Sequence, residues 1–166
     1  MTFQKYLYYC PILVCALCAT GLAQALTFVG KVTHVSDGDT VWVRTAENAK
    51  PRKLRLQGID APESCQTWGP QASAALSARV QGQVVVVDSS ARDDYGRLLG
   101  RIRHRGDDVA RWMVLDGHAW SYRYRHSPGP YATEQAQAQG ARRGLWASAA
   151  VEPREFRTEN GSCPRP

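Results

Sequence analysis

The sequence predicts an α+β protein in which a β-barrel is accompanied by helices. β-Rich segments separated by turn residues follow residue 25, and helix-favouring segments come after the third and the fifth of them. The predicted order is therefore three strands, one helix, two strands and two helices. Five strands with a helix between the third and the fourth are typical of the OB-fold, so we expect a five-stranded OB-fold barrel with three helices.

The first three strands are predicted from alternation and turn signals. Residues 28–35 alternate between apolar and polar side chains and end at the turn sequence SDGD, residues 36–39. The β-rich segment Thr40–Arg44 follows directly, so these two strands are predicted to form a hairpin. A third strand is predicted over residues 52–59. It ends in Asp-Ala-Pro-Glu, a sequence that neither a strand nor a helix interior favours.

The first helix and the last two strands come next. A helix is predicted from Pro70 to about Val80, because proline suits a first helical turn and alanine and leucine favour the helix. The segment QVVVVDSS, residues 83–90, is a continuous apolar run, which predicts a strand buried on both faces. The segment RLLGRIRHR, residues 97–105, predicts a fifth strand whose arginines point outward.

Two further helices are predicted after the fifth strand. Asp107 or Asp108 can cap the first of them, in which apolar residues recur at helical spacing from Val109 onward until Gly117. The second is predicted over about residues 133–143, and a glycine follows it.

The N-terminal segment, residues 1–25, has the features of a secretory signal peptide. A weakly cationic start at Lys5 precedes an apolar run and an Ala-Gln-Ala sequence. An uncleaved membrane anchor is the alternative, and a lipid-modified Cys18 is disfavoured because a leucine precedes it. We therefore expect export to the periplasm or the medium without a membrane segment in the mature protein. The expected domain covers residues 26–147, and residues 148–166 form a tail that is predicted to be irregular.

The cysteines predict one disulfide. Of the five cysteines in the chain, only Cys65 and Cys163 lie outside the predicted signal peptide. An even number of cysteines in an exported protein indicates a disulfide, and two free thiols are the alternative.

The charge balance favours a polyanionic partner. The formal net charge is +6, and most of the cations are arginine, whose planar guanidinium group suits phosphate. Tyrosines and tryptophans lie among the arginines, a combination that indicates nucleic acid, although solvated surface is the alternative. The clusters are Arg101/Arg103/Arg105, Arg123/Arg125 and Arg142/Arg143.

Three carboxylates are predicted to converge at one rim of the barrel. Asp39 precedes the second strand, and Asp60 and Glu63 follow the third. If these strands are antiparallel neighbours, the start of one lies beside the end of the other. Carboxylates in such a group repel one another unless a cation, protons or arginines compensate, and calcium accepts carboxylates, carbonyls and water. A plain Asx turn is the alternative for the Asp39 segment.

Two arginines are placed to join these carboxylates. Arg55 lies near the end of the third strand, and Arg97 lies at the start of the fifth. Guanidinium groups and a metal together stabilise the charge that a phosphodiester gains under attack, and a carboxylate can activate the attacking water. The residues therefore predict a phosphodiesterase site. Structural ion pairs that neutralise an acidic rim are the alternative.

Four motifs occur in order between Lys31 and Trp146: SDGDTVWV, LRLQGIDAPES, DDYGRLLGRI and GARRGLWA. Together they resemble the staphylococcal-nuclease-like (thermonuclease) family. The resemblance implies an OB-fold nuclease that uses Ca²⁺ to cut DNA and RNA. It implies no stable protein partner, and we expect a monomer.

The resemblance also implies the roles of individual residues. Asp39 and Asp60 match the calcium carboxylates, and Ala61 matches a position, usually threonine, that gives a main-chain carbonyl to the metal. Arg55 and Arg97 match the phosphate-stabilising arginines.

The remaining matches concern water activation and substrate binding. Glu63 matches the family's general base, and the sequence leaves open whether it removes the proton or only orders water and metal. Tyr95 matches a tyrosine near the bound phosphate. Tyr122 and Tyr124 match an aromatic pair that lines the nucleotide site, in a segment one residue shorter than in the best-known member. Asp94 departs from the family pattern, in which lysine is familiar.

Two other classes of protein remain as hypotheses. One is a catalytically weak OB-fold module that only binds nucleic acid. The other is an exported adaptor for an acidic protein or polysaccharide, which would need the basic surface but not the acidic rim. The preference between DNA and RNA and the biological role are left open by the sequence.

Overall fold

The computed structural model describes residues 26–164. The predicted signal peptide and the last two residues of the tail lie outside the described residues. The strands are β1 (Leu26–Asp37), β2 (Thr40–Arg44), β3 (Arg52–Leu56), β4 (Ile59–Asp60), β5 (Val84–Arg92), β6 (Leu98–His104), β7 (Asp107–Asp108) and β8 (Trp120–Ser121). The helices are α1 (Gly69–Val80), α2 (Val109–Leu115), α3 (Ala132–Gly140) and α4 (Pro153–Asn160), with a 3₁₀ turn at Gly144–Ala147.

Five strands close into the predicted barrel. They are hydrogen-bonded in the order β3-β2-β1-β5-β6, and a parallel pairing of β3 with β6 completes the circle. The short strands β4 and β8 pair beside the barrel, and β7 extends β6. The OB-fold prediction is confirmed, and residues 26–164 contain four α-helices in place of the expected three.

The core lies inside the barrel and under α1 and α2. Val41, Leu54, Leu76, Ile102 and Met113 are fully or almost fully buried in it. Burial of a side chain of this size contributes about 1.5–3 kcal/mol, so residues from every layer of the fold stabilise the barrel whose rim carries the site.

The hairpin and the helix caps follow the sequence pattern. Asp37 pairs with Thr40 across the β1–β2 turn, as the SDGD sequence predicts. Asp108 caps α2 by accepting hydrogen bonds from the main-chain N–H groups of Ala110 and Arg111. Gly117 has a positive φ of 76° directly after the helix, in agreement with its predicted role.

The third strand is shorter than predicted. It ends at Leu56, and Gly58 then adopts a positive φ of 85° with Pro130 and Tyr131 packed against it. Because this turn redirects the chain, Ile59 and Asp60 form the separate strand β4, which pairs with β8. Asp60 therefore reaches the barrel rim from a second small sheet.

The fourth predicted strand is buried on one face only. In β5, Val85 and Val87 are buried, whereas Val84 is 63% exposed. The prediction of burial on both faces was wrong, because no element of residues 26–164 covers the outer face there and Val29 of the adjacent strand is also exposed.

The tail is not irregular as predicted, because it contains α4. Pro153 lies in the first turn of this helix, and a disulfide at Cys163 follows its end. None of the helices between Leu26 and Pro164 is both long and apolar enough to cross a membrane.

Candidate active site

Asp39 is fixed at the barrel rim by the β1–β2 turn. Its carboxylate accepts a hydrogen bond from the Ala61 N–H at 3.0 Å and another from the Thr40 hydroxyl at 3.0 Å. Its main-chain carbonyl accepts the Leu56 N–H at 2.7 Å, which ties the turn to the end of β3. The residue is only 7% exposed, so its carboxylate is held in a defined orientation before any ligand binds.

Arg55 bridges two carboxylates. The register of β2 against β3 pairs Arg55 with Thr40, which places the guanidinium beside Asp39. One nitrogen forms an ion pair with Asp39, and Nη2 donates to Asp60 Oδ1 at 2.8 Å. Burial alone would lower the pKa of Arg55, but the Asp39 and Asp60 charges outweigh it and raise the pKa. Arg55 is therefore charged and serves as an internal counterion.

Asp60 accepts a guanidinium on each of its oxygens. Besides Arg55 at Oδ1, Nη2 of Arg157 lies 3.3 Å from Oδ2. The residue is 6% exposed and is held in β4 by its pairing with Trp120. Its convergence with Asp39 agrees with the sequence prediction, although strand β4 rather than β3 delivers it.

Glu63 lies on the loop after β4 and contacts the C-terminal helix. Its main-chain N–H donates to Gln66 Oε1 at 3.1 Å. Nη1 of Arg157 lies 2.5 Å from Glu63 Oε1. Arg157 thus joins Glu63 to Asp60, a contact that the sequence did not predict.

Arg97 enters the site from the β5–β6 turn. Asp93 accepts from its Nε at 2.6 Å and from its main-chain N–H at 2.9 Å, which orients the side chain. The guanidinium lies 5.4 Å from the centre of the Tyr95 ring and 3.5 Å from the Thr40 hydroxyl. Because Thr40 also donates to Asp39, a direct chain of polar contacts connects Arg97 to the buried carboxylates.

These side chains line one cavity of about 780 Å³. All of the predicted catalytic, metal-binding and substrate-binding residues except the Tyr122/Tyr124 pair are among its lining residues, which are Asp37, Asp39, Lys53, Arg55, Asp60, Ala61, Pro62, Glu63, Tyr95, Arg97, Arg157 and Ser162. The sequence therefore identified most of the charged groups that the fold brings together here.

Four carboxylates and four cationic side chains line the cavity. Burial, reinforced by the Asp39 charge, raises the pKa of Asp37 to about 7. The pKa of Asp60 is also raised, because burial and Asp39 together outweigh the favourable guanidinium groups of Arg55 and Arg157. A positive charge bound in this cavity would therefore favour the ionised forms of Asp37 and Asp60.

The donor set fits a hard divalent cation that keeps some of its water. Within residues 26–164, no three His, Cys, Asp or Glu side chains are grouped so that they could hold a metal ion by themselves. A cation here would depend on Asp39, Asp60 and a main-chain oxygen such as that of Ala61, together with water. Calcium accepts this mixture of carboxylate, carbonyl and water ligands in flexible geometry.

The predicted aromatic pair lies in an adjoining cavity. Tyr122 and Tyr124 line a space of about 550 Å³, which shares Arg55, Tyr95 and Arg97 with the first cavity. Both tyrosines are exposed, and Arg125 lies 5.2 Å from the centre of the Tyr124 ring. A planar group of a ligand that extends from the first cavity past Tyr95 and Arg97 would contact the rings of Tyr122 and Tyr124.

The arginine clusters divide between structural and open positions. Arg123 forms an ion pair with Glu152, and Arg143 donates to the Leu115 carbonyl at 2.9 Å near the end of α2. Arg101 lines the cavity that contains the two tyrosines. Only part of the predicted basic surface therefore faces the site.

The disulfide joins the site loop to the tail. Cys65 and Cys163 are bonded, with their Cα atoms 5.7 Å apart, as the cysteine count predicts. Gln66 adds a second connection, because its Nε2 donates to the Val151 carbonyl at 2.7 Å. Both ends of the segment that carries Arg157 are thus attached to the loop that carries Glu63.

Sequence reasoning missed Arg157 and gave Asp37 and Thr40 only as turn and strand residues. For Arg157 a signal existed, because Cys163 lies six residues after it and Cys65 lies two residues after Glu63. A disulfide between these cysteines must bring the residues before Cys163 close to Glu63.

The fold and this cluster of arginines and carboxylates define an OB-fold protein of the staphylococcal nuclease type. The family model described as "Staphylococcal nuclease homologue" matches residues 53–148. The chain therefore belongs to the staphylococcal nuclease family.

Curated relatives agree with this assignment. An "Uncharacterized endonuclease" of Escherichia coli O157:H7 is 36% identical over 125 residues, which cover 75% of this chain and 80% of that protein. A "Micrococcal nuclease" of Shigella flexneri is 36% identical over 143 residues, which cover 78% of this chain and 80% of that protein. A "Probable staphylococcal-like nuclease" of Oryza sativa subsp. japonica is 39% identical over 118 residues, which cover 69% of this chain and 36% of that protein.

Proposed function

We propose that this protein is a calcium-dependent nuclease that hydrolyses phosphodiester bonds of DNA and RNA with little sequence specificity. The observation that carries the proposal is the convergence of Asp39, Arg55, Asp60, Glu63 and Arg97 on one cavity. The relatives named as an endonuclease and as a micrococcal nuclease support the same chemistry.

In this proposal the two arginines bind the phosphate. Arg55 and Arg97 approach the cavity from β3 and from the β5–β6 turn and are oriented by Asp39, Asp60 and Asp93. Positioned guanidinium groups stabilise the negative charge that develops on the phosphate oxygens, and removal of one such group costs on the order of a hundredfold in rate. The aspartates hold the arginines in place before the substrate arrives.

Glu63 is the proposed proton acceptor. A water oxygen bonds to phosphorus while the bond to the departing ester oxygen breaks, and the water proton passes to the Glu63 carboxylate. The departing oxygen takes up a proton from solvent to become a hydroxyl group. Glu63 suits this role because it lies beside Asp60 at the cavity wall and its main chain is fixed by Gln66.

Asp39, Asp60 and the Ala61 carbonyl are the proposed calcium ligands. When bound, calcium would supply positive charge that neutralises the buried carboxylates and polarises the phosphate. Burial and the Asp39 charge raise the pKa of Asp60, and a cation bound here would favour its ionised form, which supports the proposed role.

The exposed tyrosines favour single-stranded substrate and broad sequence tolerance. Tyr95 is 86% exposed, and Tyr122 and Tyr124 line the adjoining cavity. Aromatic rings stack on any base, and stacking requires bases that are not paired. We therefore propose that both DNA and RNA are cut, with single strands preferred over stiff duplex.

We further propose that the protein is exported as a monomer after removal of residues 1–25. The disulfide supports an oxidising compartment, either the periplasm or the medium. In this arrangement the nuclease domain covers residues 26–147, and residues 148–166 form an appended tail that contains α4.

A catalytically weak nucleic-acid-binding module is the second candidate. It is favoured by one observation, which is that Arg157 occupies both Glu63 and Asp60. A protein that kept this contact with nucleic acid bound would hold its substrate without hydrolysing it.

Cleavage assays distinguish the two candidates. Mature protein is incubated with single-stranded DNA, plasmid DNA and RNA in calcium, in magnesium and in chelator. The nuclease proposal predicts cleavage in calcium, loss of activity in chelator, recovery when calcium is returned, and weak activity in magnesium, which demands stricter octahedral geometry. Binding without cleavage in every metal would favour the second candidate, and full activity in chelator would refute the calcium requirement.

A further inference from the structure

The C-terminal helix is held across the site at both of its ends. Before α4, Gln66 binds the Val151 carbonyl and Arg123 forms an ion pair with Glu152. After α4, Cys163 is bonded to Cys65. These attachments leave the helix little freedom to move away from the loop that carries Glu63.

Arg157 is the residue that α4 delivers to the site. Its Nη1 lies 2.5 Å from Glu63 Oε1, and its Nη2 lies 3.3 Å from Asp60 Oδ2. Since Arg55 already occupies Asp60 Oδ1, both oxygens of Asp60 are engaged by guanidinium groups. A cation that approaches Asp60 therefore meets a guanidinium at either oxygen, and its binding is favoured if one arginine withdraws.

Arg157 is the arginine that can withdraw more easily. Its side chain is 38% exposed, whereas that of Arg55 is 16% exposed and is shared between two aspartates. The Arg157 side chain extends from a short surface helix, and water can replace its contacts when it turns outward. Arg55 extends from a barrel strand, and its removal would leave two buried carboxylates facing each other.

We propose that Arg157 is an internal competitor of the metal, which sets the affinity of the site for calcium by occupying Asp60 and Glu63 until calcium displaces it. This inference rests on the calcium site of the proposed function. The disulfide contributes because it keeps the guanidinium at a high effective concentration beside the two carboxylates. Loss of the disulfide would lower that concentration and favour calcium.

Calcium titration by isothermal calorimetry tests the proposal directly, with no substrate present. The variant Arg157→Gln removes the charge and keeps a polar side chain. We expect it to bind calcium about tenfold more tightly than wild type, a difference of about 1.4 kcal/mol. Arg157→Lys keeps a cation and should stay closer to wild type than the glutamine variant. The matched control is Arg154→Gln, an exposed arginine three residues earlier on α4, whose affinity should stay within twofold of wild type.

The double variant Cys65→Ser/Cys163→Ser tests the contribution of the tether. Its calcium affinity should lie between those of wild type and Arg157→Gln. Thermal unfolding in chelator confirms that each variant is folded before it is titrated.

Several outcomes would overturn the proposal. Unchanged or weaker calcium binding by Arg157→Gln would do so. If Arg157→Gln binds calcium as wild type does but binds a single-stranded oligonucleotide more weakly, the proposal is also overturned, since Arg157 would then be a phosphate contact. If wild type and all variants fail to bind calcium, the calcium site of the proposed function fails as well. That result is distinct from equal binding by all proteins, which refutes only the role of Arg157.

Discussion

Substitution of Arg55 by methionine should damage both stability and activity, because this arginine compensates two buried carboxylates. The Arg55 side chain is 16% exposed and those of Asp39 and Asp60 are 9% exposed. Removal of one partner from a buried ion pair costs about 3–5 kcal/mol, because a charge is left uncompensated. Since these residues line a cavity, we expect the free energy of unfolding to fall by an amount near the lower limit, about 3 kcal/mol. This corresponds to a decrease of roughly 10 °C in Tm for a domain of this size.

Arg97→Met provides the matched control. Arg97 forms its ion pair with Asp93 on a surface turn, and such pairs contribute about 0.2–1 kcal/mol. Both variants should lose at least a hundredfold in turnover, because each removes a proposed phosphate ligand. Only Arg55→Met should lose stability strongly.

Urea unfolding followed by tryptophan fluorescence, in chelator and in calcium, measures the difference. Calcium should restore part of the stability of Arg55→Met, because a cation at Asp39 and Asp60 replaces the missing charge. A loss of less than about 1 kcal/mol for Arg55→Met in chelator, or an equal destabilisation of Arg97→Met, would show that Arg55 does not compensate the two buried carboxylates.

Three further predictions concern regions around the site. Burial lowers the pKa of His118, despite the opposing charge of Asp116. The stability that the neutral His118 side chain contributes is therefore present above the ordinary histidine pKa and is lost as pH falls through the lowered pKa. His118→Gln should therefore cost more stability at pH 8 than at pH 5 in urea titrations, and an equal cost at both pH values would contradict this prediction. Loss of the Cys65–Cys163 disulfide should lower Tm by less than the chain-entropy limit of about 4–5 kcal/mol implies, because the disulfide joins α4 to a loop and does not cross-link the barrel strands. Complete unfolding at room temperature would contradict this prediction. Joint replacement of Tyr122 and Tyr124 by alanine should weaken binding of single-stranded DNA at least fivefold, since stacking contributes about 1–3 kcal/mol per base. Binding is measured by fluorescence anisotropy titration, and unchanged affinity would show that these rings do not contact the substrate.

The sequence predicted the parts of the site that depend on strand order and turn chemistry. The SDGD turn predicts the hairpin, and the antiparallel register then brings Thr40 opposite Arg55 and Asp39 beside it. Asp60 and Arg97 follow because they lie at the ends of elements that meet at the same rim. These placements needed no knowledge of side-chain packing.

Elements stabilised by tertiary contacts could not be predicted in the same way. The turn at Gly58 depends on packing against Pro130 and Tyr131, which are distant in sequence. Helix α4 has eight residues and is held by ion pairs and the disulfide rather than by an apolar face. Without a periodic apolar pattern, its sequence resembles that of an irregular tail.

The most direct measurement is the turnover of Glu63→Gln on single-stranded DNA in saturating calcium. Glutamine keeps the size of the side chain and can still contact Arg157, but it cannot accept the water proton. We expect kcat to fall at least a hundredfold, with thermal stability close to that of wild type. The control Glu155→Gln, an exposed position on α4, should retain wild-type turnover. A Glu63→Gln enzyme that kept near wild-type turnover would contradict the assignment of Glu63 as the group that activates water.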